Sequence, residues 1–370
     1  MPIRIALDAR PLAGPPCGFT NYIGAILACL RQGDFEITLI SNQPLLDQYD
    51  EDVAGLERNV FGRPGDVRWE QTDLPRFLDD GDFHLYVSAA NRGIPALKRA
   101  RTRYVLVLYD VIPYLFYRDY YLRQWRIFAI SREMQSILLA NVIAAARADA
   151  ILTISQQSAA DIRRIFRRRS VTPILIPLRG VEHRAPIAPR PQFVYVGGTD
   201  FRKRLDSLLH GFALFGREHP DHKLVLVGWN FGGIETLIER LDLEGRVELT
   251  GYVDEATKFR ILGESLAMVY PSLYEGYGLA IAEGFQARIP VIAGTGGSQG
   301  EVGGQGIRQI DPQSPADIAQ AMTEMLDTDT RAEWIARGDE QLTRLSDPSI
   351  EKDILEYFTE QGRLARSQRS

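Results

Sequence analysis

Short β-branched runs alternate with helix-length amphipathic segments along this 370-residue chain. That alternation is the signature of βα units that build a parallel sheet. In the first half the runs fall at 3–8, 36–41, 83–88, 104–109, 149–154 and 173–178. In the second half they fall at 192–197, 222–228, 247–251, 266–271, 289–293 and about 307–310. Six and six suits an α/β protein with two doubly wound, Rossmann-like domains. The divide falls within 181–192, where Pro186, Pro189 and Pro191 punctuate a stretch that fits neither strand nor helix. The expected domains are therefore 1–183 and 184–345, followed by a C-terminal helix and tail over 346–370. Ligands of open α/β sheets lie beyond the carboxyl ends of the strands, and a cleft between two such domains is the default site.

Composition narrows the picture. Hydrophobic residues make up 45% of the chain and charged residues 25%, which excludes disorder. With 43 Lys and Arg against 48 Asp and Glu, the net charge of −5 excludes a histone-like nucleic-acid protein. Two cysteines, Cys17 and Cys29, build no disulfide framework and fit a reducing compartment. None of the five histidines, His84, His183, His210, His219 and His222, is assigned to chemistry, and no metal site is expected. The apolar runs are far shorter than the ~20 residues that span a bilayer, and the N-terminal residues lack a signal peptide's regions. A cytoplasmic location is expected. The charge is uneven, however. Residues 98–170 carry a net +9, with Arg163–Arg169 holding five arginines and the 114–128 stretch rich in aromatics. Basic residues are drawn to anionic headgroups, so peripheral contact with the inner membrane face is a second expectation, set against a solvated helix face.

One segment carries most of the chemistry. After the run at 266–271 comes Ser272-Leu273-Tyr274-Glu275-Gly276-Tyr277-Gly278-Leu279-Ala280-Ile281-Ala282-Glu283. Gly276 and Gly278 permit close backbone approach to a ligand. From Leu279 the chain reads as a helix, whose first N–H groups favour an anion. A strand, a glycine turn and a helix start form a phosphate cradle, with Glu275 in the turn and Glu283 further along the helix.

This segment resembles the donor-site signature of retaining glycosyltransferases of family 4, which have the GT-B fold: two Rossmann-like domains facing each other across a cleft. Other segments match in the family's order. Ile5-Ala6-Leu7-Asp8-Ala9-Arg10-Pro11 with Gly18-Phe19-Thr20-Asn21-Tyr22 resembles its first strand and glycine loop. Tyr109-Asp110-Val111-Ile112-Pro113 resembles its HD-x-x-P element, and Thr153-Ile154-Ser155 with Ser158 and Asp161 its T-V-S-x-x-S-x-x-D stretch. Ile176-Pro177 with Gly180-Val181-Glu182 resembles IPNGVD. Val196-Gly197-Gly198 with Arg202-Lys203 resembles the phosphate-binding loop, and Gly251-Tyr252-Val253 the G-Y-V near the nucleotide base. The resemblance covers about residues 3 to 345.

The resemblance implies a nucleotide diphosphate sugar as donor, no cofactor and no metal. Lys203 and Arg202 would neutralise the departing diphosphate, helped by the amides of Gly278, Leu279 and Ala280. Glu275 would take the sugar hydroxyls and Glu283 the ribose hydroxyls. Gly18, Gly197, Gly198, Val253, Gly276 and Tyr277 would line the donor, and Tyr109 and Asp110 the sugar and acceptor side. The sequence looks most like bacterial cell-surface mannosyltransferases, so GDP-mannose is the first candidate donor, with UDP- and dTDP-hexoses open, and a saccharide acceptor, lipid-linked, is expected. Two positions depart from the family. Tyr109 replaces its histidine, and Gly198 replaces an arginine that often follows Val-Gly. They leave open a weakened paralogue serving as a partner subunit; a sugar-nucleotide epimerase of similar architecture is the other alternative. Three D-x-D matches, Asp50–Asp52, Asp80–Asp82 and Asp327–Asp329, follow no apolar strand and read as chance. The Gly294–Gly300 loop lacks the G-x-G-x-x-G spacing and reads as a wall of the sugar site.

Overall fold

A computed structural model describes residues 1–15, 18–63, 68–97, 101–116, 119, 132–178, 187–229 and 231–369, with 132–137 as backbone alone. The chain divides into two units, Met1–Pro177 with Asp347–Ser370, and Leu178–Ser346.

The first unit is built on a parallel sheet of β1 (Ile3–Asp8), β2 (Phe35–Ser41), β3 (Glu57–Val60), β4 (Leu85–Ser88), β5 (Arg103–Val107), β6 (Ala150–Thr153) and β7 (Val171–Pro173). Its order is β3-β2-β1-β4-β5-β6-β7. The seventh strand is β3, which the hydrophobic pattern does not reveal. Its residues Glu57, Arg58, Asn59 and Val60 are polar or exposed, as an edge strand's can be, and it pairs with β2 from Thr38 to Ser41. The strand expected at 173–178 is displaced to Val171–Pro173, because Pro173 and Pro177 cannot donate to a ladder. Ile174 still donates its N–H to Thr153 O, at 2.9 Å.

The segment set apart as 346–370 belongs to this unit. Helix Pro348–Ser367 starts at the Asp347 cap and buries Ile350, Ile354, Phe358 and Ala365. Gly362 lies so close to Ile3 that a Cβ there would sit 2.4 Å from its Cδ1. Arg103 Nε donates to Gln361 Oε1 at 2.8 Å, which ties the helix to β5.

Local chemistry explains two of the sequence matches. In the Thr153–Asp161 stretch, Ser155 caps helix Gln156–Phe166 by accepting from the Ser158 N–H at 3.0 Å. At the carboxyl end of β1, the Arg10 guanidinium grips buried Asp8 at 2.6 Å and Glu70 at 2.6 Å. Burial works against that charge, but Asp8 and Glu70 outweigh it and raise the Arg10 pKa.

Within the basic segment, Lys98, Arg99, Tyr117, Arg118, Tyr120, Tyr121, Arg123, Trp125 and Arg126 lie outside the described residues. Tyr114 is half-buried against the core: it packs on Phe166, with ring centroids 5.2 Å apart, and donates to Leu138 O at 2.7 Å. Arg163 and Arg168 donate to the backbone oxygens of Val171 and Ala148; Arg163, Arg164, Arg167 and Arg169 are exposed and Arg168 is half-buried. Among the described residues no helix is long and apolar enough to cross a membrane.

The second unit holds β8 (Gln192–Val196), β9 (Lys223–Val227), β10 (Val247–Gly251), β11 (Ala267–Tyr270), β12 (Val291–Ala293) and β13 (Ile307–Gln309). All six match expected runs. Their order, β10-β9-β8-β11-β12-β13, reverses direction between β8 and β11, which is the switch point where doubly wound sheets bind ligands.

Phe358→Ala is expected to lower the stability of the first unit by about 3–5 kcal/mol, the scale for deleting a fully buried Phe. Urea unfolding measures it, and a loss under about 1 kcal/mol would show that the last helix is not part of that core.

Candidate active site

Lys203 and Glu275 meet at the switch point of the second unit. Lys203 ends a short 3-10 turn, Phe201–Lys203, which follows β8 and is capped by the Asp200 side chain accepting from Arg202 N–H. Glu275 lies in the turn after β11. The Lys203 ammonium reaches Glu275 Oε1 at 2.6 Å and the Tyr270 hydroxyl at 2.6 Å. Their side chains are only 15% and 11% exposed, so this is no solvated surface pair. An ammonium has three donors, and these two bonds use two of them.

The surroundings fix the carboxylate. Ser272 Oγ donates to Glu275 Oε1 at 2.5 Å, and the Tyr270 phenol also bonds to Glu275. Burial first, then the Glu275 charge, holds the Tyr270 hydroxyl well above the usual phenol range. Tyr270 thus stays protonated as a donor. Tyr195 stacks beside it, with centroids 6.1 Å apart, and is raised for the same two reasons.

The Glu275 backbone is held as tightly. Ser298 donates to Glu275 O through both its N–H and its Oγ, each at 3.0 Å. Gln299 Nε2 donates to Ser272 O at 2.8 Å and to Gly296 O at 3.0 Å. A Cβ on Gly297 would lie 2.3 Å from Glu275 O, so glycine is required where the two loops touch. The Gly294–Gly300 loop therefore clamps Glu275. Nothing in the sequence beyond its glycines marks this, and Ser272, Tyr270, Ser298 and Gln299 were all missed.

The helix start has the expected form. Gly278, at φ 94°, precedes helix Leu279–Gln286 with no side chain capping it. The left-handed backbone there favours glycine. The first-turn amides of Leu279 and Ala280 belong to the positive end of a helix dipole. Gly276, Tyr277 and Gly278 are buried in the turn.

Other expected residues are placed as follows. Arg202 is bound within the loop, with Nε 2.9 Å from Asp200 Oδ1 and a terminal nitrogen donating to Tyr274 O at 2.8 Å. Glu283 pairs with Lys258, from helix Glu255–Gly263, at 2.7 Å. Lys258 also escaped the sequence reading. Gly197 and Gly198 follow β8, and the Tyr195 hydroxyl donates to Gly198 O at 2.7 Å. Val253 is half-buried ahead of the Glu255–Gly263 helix.

In the first unit, Gly18 begins helix Gly18–Leu30. The Tyr109 ring is buried between Phe19 and Tyr22, at 4.6 and 5.5 Å, and its hydroxyl donates to Ala89 O at 3.2 Å. Asp110 accepts from the Ile112 N–H at 3.0 Å, which starts the next turn. Among the described residues no group of three His, Cys, Asp or Glu side chains is arranged to hold a metal ion.

Residues 183–341 match the family model for glycosyl transferases group 1. The O-antigen chain mannosyltransferase B of Escherichia coli is 30% identical over 216 residues, covering 53% of this chain and 56% of the relative. The D-rhamnosyltransferase WbpZ of Pseudomonas aeruginosa is 33% identical over 167 residues, covering 43% of this chain and 42% of the relative. The chain thus spans about half the length of the curated relatives it matches. Among solved structures, HepE of Anabaena in complex with UDP and glucose superposes with a TM-score of 0.74 at 17% identity, covering 97% of this chain and all of that one. WaaG, a glycosyltransferase involved in lipopolysaccharide biosynthesis, gives 0.70 at 12% identity, covering 95% and 99%. With the strand order of both sheets, these likenesses show that the chain has the GT-B fold, its second unit carrying the group 1 match.

Proposed function

We propose that this protein transfers a hexose, with mannose from GDP-mannose as first candidate, from a nucleotide diphosphate sugar to a lipid-linked saccharide, with retention and without a metal ion. The observation that carries the reading is the Lys203–Glu275 pair at the β8/β11 switch point, next to a helix N-terminus. The names of the mannosyl- and rhamnosyltransferase relatives support a hexosyl donor and a polysaccharide product. The likeness to HepE with UDP and glucose supports a nucleotide site in this fold.

Cleaving the sugar–phosphate bond leaves charge on the diphosphate, and preorganised donors stabilise it best where water is excluded. Glu275, Tyr270 and Ser272 hold the Lys203 ammonium in place before the reaction begins. Its remaining N–H and the amides of Leu279 and Ala280 receive the leaving oxygens. The acceptor hydroxyl attacks from the face the diphosphate vacates, and its proton passes to that diphosphate. No general base is needed. Glu283 takes the ribose hydroxyls, in exchange for or alongside its bond to Lys258, and the outer oxygen of Glu275 faces the sugar.

Removing the ammonium in Lys203→Ala should lower turnover by about 10²-fold or more, the scale for one preorganised donor. Wild-type turnover in a folded variant would take Lys203 out of the site.

The product from an α-linked donor should be α-linked, and the rate should be the same in EDTA as in Mn²⁺. Proton NMR of the anomeric centre reads the first, and a β-linked product or a metal requirement would defeat the mechanism.

The acceptor's lipid predicts binding to anionic vesicles but not to neutral ones, weakened at 1 M salt, where the Debye length falls to ~3 Å. Arg167→Glu with Arg169→Glu should reduce co-sedimentation, since both are exposed, whereas Arg163, though exposed, and Arg168 also bond the backbone, so replacing them would disturb the fold. Equal recovery with both vesicle types would contradict membrane contact.

A further inference from the structure

The first sheet has a switch point of its own, and a charged cluster sits there. Its strand order reverses between the paired neighbours β1 and β4, and doubly wound sheets bind ligands where that happens. Asp8 ends β1 and Ser88 ends β4. Arg10 follows Asp8 by two residues. Glu70 arrives from a π-helical turn, Trp69–Asp73, a rare conformation that is frequent at functional sites. Gly93, at φ 100°, closes the cluster: a Cβ there would lie 2.5 Å from Arg10 Nη2, 2.8 Å from Ser88 Oγ and 3.0 Å from Asp8 Oδ2.

Hydrogen bonding within the cluster is unevenly spent. Fully buried Asp8 accepts from Arg10 Nε at 2.9 Å and from Nη2 at 2.6 Å. Arg10 Nη1 donates to Glu70 Oε1 at 2.6 Å. A guanidinium carries five N–H groups, so two of Arg10's remain after these three bonds. Glu70 Oε2 has no partner among the described residues. Both side chains stay accessible, Arg10 at 15% and Glu70 at 12% exposure. The guanidinium carbon lies 4.5 Å from the centroid of the buried Trp69 ring, whose face holds the cation in place. Tyr109 and Asp110, expected on the acceptor side, are engaged instead with Ala89 O and the Ile112 N–H.

We propose that Glu70 and Arg10 clamp two adjacent hydroxyls of the acceptor's terminal residue, and that this residue is an uncharged sugar. A free carboxylate oxygen accepts, free guanidinium N–H groups donate, and a hydroxyl does both. Adjacent hydroxyls of a pyranose ring are spaced like the Glu70–Arg10 bond itself. One donates to Glu70 Oε2 while its neighbour accepts from Arg10. Two carboxylates against one guanidinium leave the cluster net negative, so a sugar carrying a carboxylate or phosphate is repelled. This inference rests on the glycosyl-transfer reading above and names the class of its acceptor.

Saturation-transfer NMR titration of the full chain with methyl α-D-mannoside, methyl α-D-glucoside and methyl α-D-glucuronide tests it, using wild type, Glu70→Ala, Glu70→Gln and Arg10→Lys. Glu70→Ala should weaken binding of the better neutral glycoside by about 10-fold, the scale of one hydrogen bond to a charged group. Glu70→Gln keeps a carbonyl acceptor and should lose less. Arg10→Lys keeps a charge beside buried Asp8 but removes the fork, and should also weaken binding by about 10-fold; if it does not fold, the two Glu70 variants still decide. The glucuronide should bind the wild type about 10-fold more weakly than the glucoside. Neutral-glycoside affinity unchanged in both Glu70 variants would overturn the clamp. A glucuronide bound as tightly as the glucoside would overturn the selection of an uncharged sugar. Calorimetry of the wild type with GDP separates this from the reading beneath it. Binding of GDP with no binding of any glycoside would overturn the clamp and leave the nucleotide-sugar reading standing, whereas no binding of GDP would overturn that reading and the acceptor assignment with it.

Discussion

The second unit is organised around one buried ion pair. Lys203 arrives from the turn after β8 and Glu275 from the turn after β11; the strands are neighbours in space, although the two residues lie 72 positions apart in sequence. Removing either partner would leave a charge stranded in a largely dehydrated place, which costs several kcal/mol by the usual scale for buried pairs. Such pairs add little net stability, yet they hold geometry. Here the geometry held is that of an ammonium aimed from a strand end, and this is the group a departing anion requires.

The other features of the site follow from keeping that pair in place. Tyr270 and Ser272 come from β11 and its turn and both bond to the Glu275 carboxylate. Ser298 and Gln299 come from the loop after β12 and fasten the same turn through its carbonyls. Gly296 and Gly297 have no side chain because the two loops meet backbone to backbone. Glycines that read in the sequence as a wall for a ligand thus serve first as a joint between loops. The same logic operates in the first unit, where Asp8, Arg10 and Glu70 bind the end of β1 to a distant turn.

Central strands such as Leu85–Ser88, Ala150–Thr153 and Ala267–Tyr270 were legible as apolar runs because they are buried on both faces, as parallel strands are. The polar edge strand Glu57–Val60 was not, since nothing packs on most of its residues. The docking of Pro348–Ser367 beside β1 and β5 was equally hidden, because its partners lie some 250 residues or more away. In the site, the backbone features could be read: a strand end, Gly278 at a helix start, and a Lys in the preceding loop. The side-chain partnerships could not. Lys258 with Glu283, and Ser298 with Glu275, join residues 25 and 23 positions apart on different loops and helices, and only the folded sheet brings them together. The contacts of Arg202 with Asp200 and the Tyr274 carbonyl were equally hidden, since the second lies 72 positions away in sequence.

The central claim is that the Lys203 ammonium, held by Glu275, receives the diphosphate of a nucleotide sugar. A crystal structure of the protein with GDP bound tests this most directly. The account predicts a terminal phosphate oxygen within hydrogen-bond distance of Lys203 Nζ, with the Leu279 and Ala280 amides on the same diphosphate and Glu275 still beside the ammonium. A diphosphate bound elsewhere, with Lys203 and Glu275 unchanged and out of reach of it, would contradict the account.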